Sequence, residues 1–133
     1  MNKILRFLLF GIFLSSAVMA QTDSPGKEKI YTSVQVVPSY PGGMQAFYQF
    51  LSNTVRYPAE ARTHNTQGKV LVSFVVEKDG TLTNFKLWKT VKDGLGEEAM
   101  RAMKLSPKWS PGTQNGEAVR VAYTVPISFT LSK

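Results

Sequence analysis

The chain has 133 residues, of which 43% are hydrophobic and 19% are charged, and its formal net charge is +7 at pH 7. This length fits about one domain, and the basic residues do not interleave with aromatic residues as nucleic-acid binding requires. There is no cysteine, which excludes disulfides, thiolate catalysis and cysteine-based metal sites. The hydrophobic core must therefore hold the fold, and we expect no nucleic-acid partner.

The N-terminus has the features of a secretory signal. Lys3 and Arg6 precede an apolar run over residues 7–14, and Val18, Met19 and Ala20 form a small-residue cleavage site. We expect residues 1–20 to be a signal peptide that is cleaved after Ala20. The alternative is an uncleaved membrane anchor, although the apolar run is shorter than the roughly 20 residues of a membrane-spanning helix. Residues 21–29 are polar and are predicted to be a flexible lead.

The next two segments are predicted to be a strand and a helix. Residues 30–37 are rich in β-branched side chains, which favours a strand, and the prolines and glycines of residues 38–43 end it. Residues 44–55 carry apolar side chains at helical spacing. The predicted core-facing stripe consists of Met44, Phe47, Tyr48, Leu51 and Val55. Pro58 ends this region and can begin a further short turn through Arg62.

A hairpin and a second helix follow. Residues 70–76 are predicted to be a strand in which Val70, Val72, Phe74 and Val76 alternate with Leu71, Ser73 and Val75. Residues 78–80 (Lys-Asp-Gly) form a turn, and the return strand runs from Leu82 to about Thr90. The apolar residues of the return strand change phase, which predicts a bulge near Thr83 and Asn84. Residues 95–104 are predicted to be a helix with its apolar side chains on one face. Residues 106–116 are predicted to be a loop that Trp109 anchors in the core.

The last strand, residues 118–131, carries the functional prediction. Its odd positions are large and apolar and its even positions are small or polar, so one face of the strand packs on the core. Pro126 has no N–H and is tolerated mainly at a sheet edge. By parity, Arg120, Ala122 and Thr124 then direct their backbone groups outward, provided that no bulge lies between Ala122 and Pro126. An extended peptide can pair with such an open edge, although a bulged or covered edge would bind nothing.

The order of elements is strand, helix, strand, strand, helix, strand. It predicts a two-layer α+β fold: a three-stranded antiparallel sheet with two helices packed on one face, plus an N-terminal extended segment. The sequence has no clear catalytic or metal-binding group. His64 is the only histidine, and Glu97 and Glu98 diverge by about 100° on a helix. We expect a protein that is not an enzyme and has no metal and no cofactor.

Several motifs, in order, resemble the TonB C-terminal domain. They are YPAEA at residues 57–61, GKVLVSFVVEKDG at 68–80, WSPG at 109–112 and VPISF at 125–129. The resemblance covers roughly residues 34–131, and the YPGG at residues 40–43 is similar to Bacteroidetes-type members. It implies that residues 30–133 form the domain and that its structural motif includes Tyr57, Pro58, Gly68, Asp79, Gly80, Trp109, Pro111 and Pro126.

The resemblance also implies a function. Such domains bind the TonB box of outer-membrane TonB-dependent receptors by strand addition beside the last strand. The matching positions here are Val119, Arg120, Val121, Ala122, Tyr123, Thr124 and Val125. We therefore expect a stand-alone periplasmic docking module, because residues 21–29 are far shorter than the Pro-rich linker of TonB proteins. The alternatives are a short energy transducer, anchored in the inner membrane beside ExbB and ExbD, and a homodimer formed by strand pairing.

Overall fold

The computed structural model describes residues 28–132. The predicted signal peptide and residues 21–27 of the predicted lead lie outside the described residues. The elements in chain order are β1 (Ile30–Tyr31), α1 (Met44–Thr54), α2 (Ala59–Thr63), β2 (Gly68–Val76), β3 (Leu82–Lys89), α3 (Leu95–Lys104), β4 (Gly112–Gln114) and β5 (Glu117–Phe129).

The sheet is built around β5. This strand pairs antiparallel with β2 in one unbroken register, from Gly68 opposite Phe129 to Val76 opposite Val121. Strand β2 also pairs antiparallel with β3, which completes the predicted three-stranded sheet and confirms the α+β class. Two short strands extend this sheet. Strand β1, part of the predicted strand over residues 30–37, lies parallel to β5 on the side away from β2, and β4, which was not predicted, forms a hairpin with the start of β5. The described sheet therefore has five strands rather than three.

The predicted bulge in the return strand is confirmed. Ser73 lies opposite Lys86 while Val75 lies opposite Thr83, so β3 contains one more residue than β2 over this stretch. Asn84 takes up the extra residue with a φ of 53°, a left-handed conformation that asparagine adopts more readily than most residues. The bulge places both Phe85 and Leu82 against the core.

The hydrophobic core lies between the helices and one face of the sheet. Four odd-numbered residues of β5, Val121, Val125, Ile127 and Phe129, are buried, as are Phe47 and Leu51 of α1. Val119 and Tyr123 of the same row are half-buried. The apolar face of α3 is also buried, as predicted: Leu95, Ala99, Ala102 and Met103. Trp109 is buried as well, and its ring meets those of Phe47 and Phe74 edge-on at centroid distances of 5.5 and 5.3 Å. Its predicted place in the core is therefore confirmed.

Three details of the prediction were wrong. Met44 and Tyr48 belong to the helical stripe but are exposed, because the sheet covers only the Phe47 and Leu51 side of α1. In residues 30–37 only Ile30 and Tyr31 form a strand, while Val36 makes an isolated bridge to Thr113. Residues 106–116 are not all loop, because they include β4 and its turn.

Candidate docking edge

Strand β5 has two sides that differ in pairing. One side is bonded to β2 along residues 121–129, whereas the other side meets β1 only at Arg120 and Val121. Among residues 28–132, no strand pairs with the outer side of Ala122–Phe129. We call this outer side of residues 122–129 the open edge. Unpaired backbone groups along such an edge are available to another extended chain.

The seven residues predicted to bind peptide fall into two groups. Val119 lies opposite Gly112 of β4, and Arg120 and Val121 lie opposite Ile30 and Tyr31 of β1. Within the described residues, the other four have strand partners only in β2, and they lie at the start of the open edge. They are Ala122, Tyr123, Thr124 and Val125. The binding role of all seven stays a prediction, but β1 and β4 occupy positions beside the first three.

Pro126 lies within the open edge, opposite Leu71 of β2, and is exposed. The register between β2 and β5 has no bulge between Ala122 and Pro126, so the condition for the parity argument is met. Because Pro126 has no N–H to give to β2, its nitrogen is expected to face away from that strand. Because backbone groups alternate sides along a strand, the N–H and C=O groups of Ala122 and Thr124 also point away from β2.

A groove borders the C-terminal half of the open edge. It has a volume of about 600 Å³ and lies between α1 and the end of β5. Its lining includes Tyr48, Leu51 and Val55 from α1 and Ile127 and Phe129 from β5. The groove was not predicted from the sequence, because Tyr48 was expected to face the core. The available signal was the width of the apolar stripe on α1, which exceeds what one sheet face can cover.

The opposite edge of the sheet, on β3, is much less suited to pairing. The register between β2 and β3 shifts twice, once near Asn84 and once near Trp88. Exposed lysines at positions 86 and 89 also lie on this strand. Bulges and lysines are the usual features by which edge strands resist pairing with other chains. The open edge of β5 has neither a bulge nor a charged residue.

An electrostatic clamp holds β1 at the N-terminal end of the open edge. The Arg120 guanidinium donates to the Glu77 carboxylate at 2.7 and 3.1 Å and to the Glu28 carbonyl oxygen at 2.9 Å. Hydrogen bonding from Arg120 is the main reason that the pKa of Glu77 lies below its ordinary value. The Lys78 ammonium adds an exposed ion pair with the Glu28 carboxylate at 2.8 Å. Glu28, near the end of the predicted flexible lead, is thus in contact with the domain.

The residues of the predicted structural motif have identifiable contacts. The Tyr57 hydroxyl donates to the Thr66 carbonyl at 2.5 Å, and its ring packs edge-on against Phe129. An Asp79 carboxylate oxygen accepts from the Thr81 amide at 3.0 Å in the hairpin turn. The motif also places Pro58 beside Gly94, Gly68 beside Val91, and Gly80 beside Trp109. Pro111 is half-buried, directly before β4.

One group of side chains has the composition of a metal site. Single ligand atoms of Glu60, His64 and Asp93 lie within 4.8 Å of one another. The Asp93 carboxylate already accepts hydrogen bonds from the Thr66 hydroxyl and from His64 Nδ1, the latter at 3.1 Å, and these bonds lower its pKa. Glu60 and His64 are exposed. The hydrogen bond between His64 and Asp93 joins the end of α2 to the turn before α3.

These features define a two-layer α+β domain whose longest strand leaves one edge open beside a groove. The chain belongs to the family of C-terminal domains of Gram-negative bacterial TonB proteins, whose family model matches residues 53–131. That family consists of energy transducers for transport and is associated with the cell envelope. Among residues 28–132, no helix is both long and apolar enough to span a membrane.

Individual relatives support the same family. The chain is 31% and 32% identical over 84 residues to the TonB proteins of two Helicobacter pylori strains. These matches cover 62% of this chain but only 28% and 29% of the H. pylori proteins. Two NMR solution structures of the H. pylori TonB C-terminal domain are similar, with TM-scores of 0.51 and 0.50 and identities of 29% and 30%. They cover 70% and 67% of this chain, and 88% and 94% of the solved chains.

Proposed function

We propose that this domain docks an extended segment of an outer-membrane TonB-dependent receptor by strand addition at the open edge. The observation that carries the proposal is the one-sided pairing of β5. Residues 122–129 are fixed by β2 on one side, and no strand among residues 28–132 pairs with the other side. A peptide that pairs there would gain main-chain hydrogen bonds from a strand that is already ordered.

The surroundings of the open edge support side-chain recognition as well. Successive side chains of an added strand point to opposite faces of the sheet. One row would face the groove beside Leu51 and Val55, and the other would lie beside the exposed side chain of Thr124. The first row would meet a mixed surface, because apolar and aromatic residues of the groove alternate with the polar residues Ser52, Lys69, Ser128 and Thr130. The contrast with the bulged, lysine-bearing β3 supports β5 as the docking edge.

We infer docking rather than catalysis for this domain. A nucleophile needs an adjacent base, and a general acid or base needs a site that holds a substrate. His64 is exposed and hydrogen-bonds to Asp93, while Glu98 is engaged by Arg101 and the Arg56 amide. Neither group lines the groove beside the open edge.

The proposed partner implies a periplasmic location. The anchored alternative places the same domain in the periplasm but retains residues 1–20 in the inner membrane, where ExbB and ExbD would be its partners. N-terminal sequencing of the exported protein distinguishes the two: a start at Gln21 supports cleavage, whereas an intact Met1 in the inner-membrane fraction supports the anchor. A homodimer would use the open edge without a receptor, and the solution mass of the purified protein tests this alternative.

The proposal is tested by titration with synthetic peptides from the plug segments of the TonB-dependent receptors of the source organism. Two-dimensional NMR of the labelled chain reports which amides respond. The expected result is shifts at Ala122, Thr124 and Ser128 with a receptor peptide, and none with a scrambled peptide of the same composition. Shifts confined to β3, or no shifts with any receptor peptide, would contradict the proposed docking at β5.

A further inference from the structure

We propose that residues 28–31 act as a built-in competitor for the docking edge of β5. This inference rests on the proposed function and concerns its regulation. Strand β1 lies on the same outer side of β5 as the open edge, directly before it, opposite Arg120 and Val121. A receptor peptide that extends along the whole outer side would need the place that β1 holds.

The pairing of β1 is limited in extent. It involves two residues, whereas β2 pairs with β5 through nine. Ile30 is exposed, and Tyr31 is half-buried with the Lys29 ammonium above its ring. Neither Ile30 nor Tyr31 belongs to the core cluster. Since short strands without buried side chains contribute little stability, β1 can leave β5 without opening the core.

A second anchor limits how much of the chain must move. Four residues after β1 ends, the side-chain oxygen of Gln35 accepts from the Asn115 amide at 2.7 Å, and the Gln35 amide donates to the Gln114 side-chain oxygen at 2.9 Å. Val36 and Thr113 then exchange two backbone hydrogen bonds, at 3.1 and 2.9 Å. Release of β1 therefore needs to extend only to about Val34, while residues from Gln35 onward remain attached to β4.

Arg120 holds residues 28–31 in place beside β5. Its side chain is only 12% exposed, and its guanidinium joins the Glu28 backbone carbonyl to the Glu77 carboxylate. Glu77 directly follows β2, so the Arg120 hydrogen bonds connect the segment before β1 to the β2–β3 hairpin. An arginine that held β1 closed would oppose peptide binding, whereas an arginine that contacted the peptide would favour it. The sign of its effect on affinity therefore separates the two roles.

The test compares three forms of the full mature chain, using the receptor peptide that gives the largest shifts in the titration described above. Arg120→Gln removes the bond to Glu28. If β1 is closed in about nine molecules of ten, its release should strengthen peptide binding about tenfold. Hydrogen exchange at Ile30 and Tyr31 should also become faster in this variant.

The third form locks β1 in place. Ile30→Cys with Arg120→Cys puts cysteines at directly opposite positions, whose spacing of about 5 Å suits a disulfide, and the chain has no other cysteine. The oxidised form should bind the peptide at least about tenfold more weakly than the reduced form. Thermal melts of all forms verify folding.

The outcomes separate this inference from the proposed function. Weaker or unchanged binding by Arg120→Gln, or equal binding by the oxidised and reduced cysteine forms, would show that β1 does not compete, while docking at β5 would stand. If no form binds any receptor peptide, wild type included, the proposed docking fails and the competitor role fails with it.

Discussion

A close backbone contact between Trp109 and Gly80 holds the turn between β2 and β3 against the core. The Trp109 amide donates to the Gly80 carbonyl oxygen at 2.9 Å. A Cβ atom on Gly80 would lie only 2.1 Å from the Trp109 carbonyl oxygen. Gly80 also has a φ of 91°, which side chains disfavour. The close approach holds the Trp109 backbone against the turn and so positions its indole between Phe47 and Phe74.

The first prediction concerns this close approach. Gly80→Ala should destabilise the domain by about 2 kcal/mol or more, because a left-handed backbone alone costs about 1–2 kcal/mol and the new Cβ also meets a backbone atom. Gly116→Ala is the matched control: its φ is 81° and no atom lies near its added Cβ. Urea denaturation of both variants measures the difference. Equal losses of stability would show that the contact with Trp109 does not constrain Gly80.

The second prediction separates the two tryptophans of the chain. Trp109→Ala should cost about 3–5 kcal/mol, as for other buried aromatic residues, because Trp109 is 3% exposed. Trp88→Ala should cost no more than about 1 kcal/mol, because Trp88 is 61% exposed and its polar contact is one hydrogen bond to Ser73. Thermal melts of both variants provide the comparison. A stable Trp109→Ala variant that no longer binds peptide would instead make Trp109 a docking residue.

The fold was predictable from the sequence where the local residue pattern alone determines the structure. The alternation in β5 and the glycine of the 78–80 turn both correspond to observed structure, since each follows from the requirements of a single strand or turn. The β4–β5 hairpin was missed although Asn115-Gly116, between the strands, is a strong hairpin signal. Both residues have positive φ, at 53° and 81°. The nearby prolines made the whole segment resemble a loop.

The candidate site was less predictable than the fold. Pro126 correctly indicated a strand with a free side, but nothing local showed that Ile30 and Tyr31 return to pair with residues 120 and 121. That contact joins segments about 90 residues apart in the chain, and β-branched composition alone does not choose a partner strand. The groove depends on how α1 is rotated over the sheet. Rotation is determined by packing among several elements, so the exposure of Tyr48 could not be read from its spacing.

The third prediction concerns pH. The Glu98 carboxylate accepts from Arg101 at 2.9 and 2.6 Å and from the Arg56 amide at 2.6 Å. The bonds from Arg101 are the main reason that its pKa lies below the ordinary value of 4.5. A lowered folded-state pKa gives stability that is present above the unfolded value and is lost as the pH falls through the folded one. Glu98→Gln should therefore be less stable than wild type at pH 7, and the difference should shrink below pH 4.5.

Glu97→Gln is the control for this measurement. It removes the same charge from the adjacent position of α3, but Glu97 is exposed. Urea denaturation between pH 3 and pH 7 should show a pH-dependent loss for Glu98→Gln and little change for Glu97→Gln. The same pH dependence in both variants would mean that overall charge, rather than the contacts of Glu98, determines the effect.

The last prediction tests the two sides of β5 with proline. Val121 is buried and lies opposite Val76 of β2, and parity directs its backbone N–H toward that strand. Val121→Pro would remove a ladder bond and should unfold the domain, at a cost of about 3 kcal/mol or more by analogy with proline in helices. Ala122 is only half-buried, and in the part of the chain that the structure describes no strand lies on its outer side. Its N–H faces outward by the same parity, so Ala122→Pro should stay folded.

The two variants should differ in binding for the same reason. Ala122→Pro removes a donor that an added strand needs, so it should lose most of its affinity for the receptor peptide while its circular dichroism spectrum stays native. Ala122→Gly is the control, because it changes the side chain but keeps the N–H. Thermal melts and a peptide titration of the three variants decide the result. Full binding by a folded Ala122→Pro, or unfolding of Ala122→Pro to the same degree as Val121→Pro, would place docking somewhere other than the open edge.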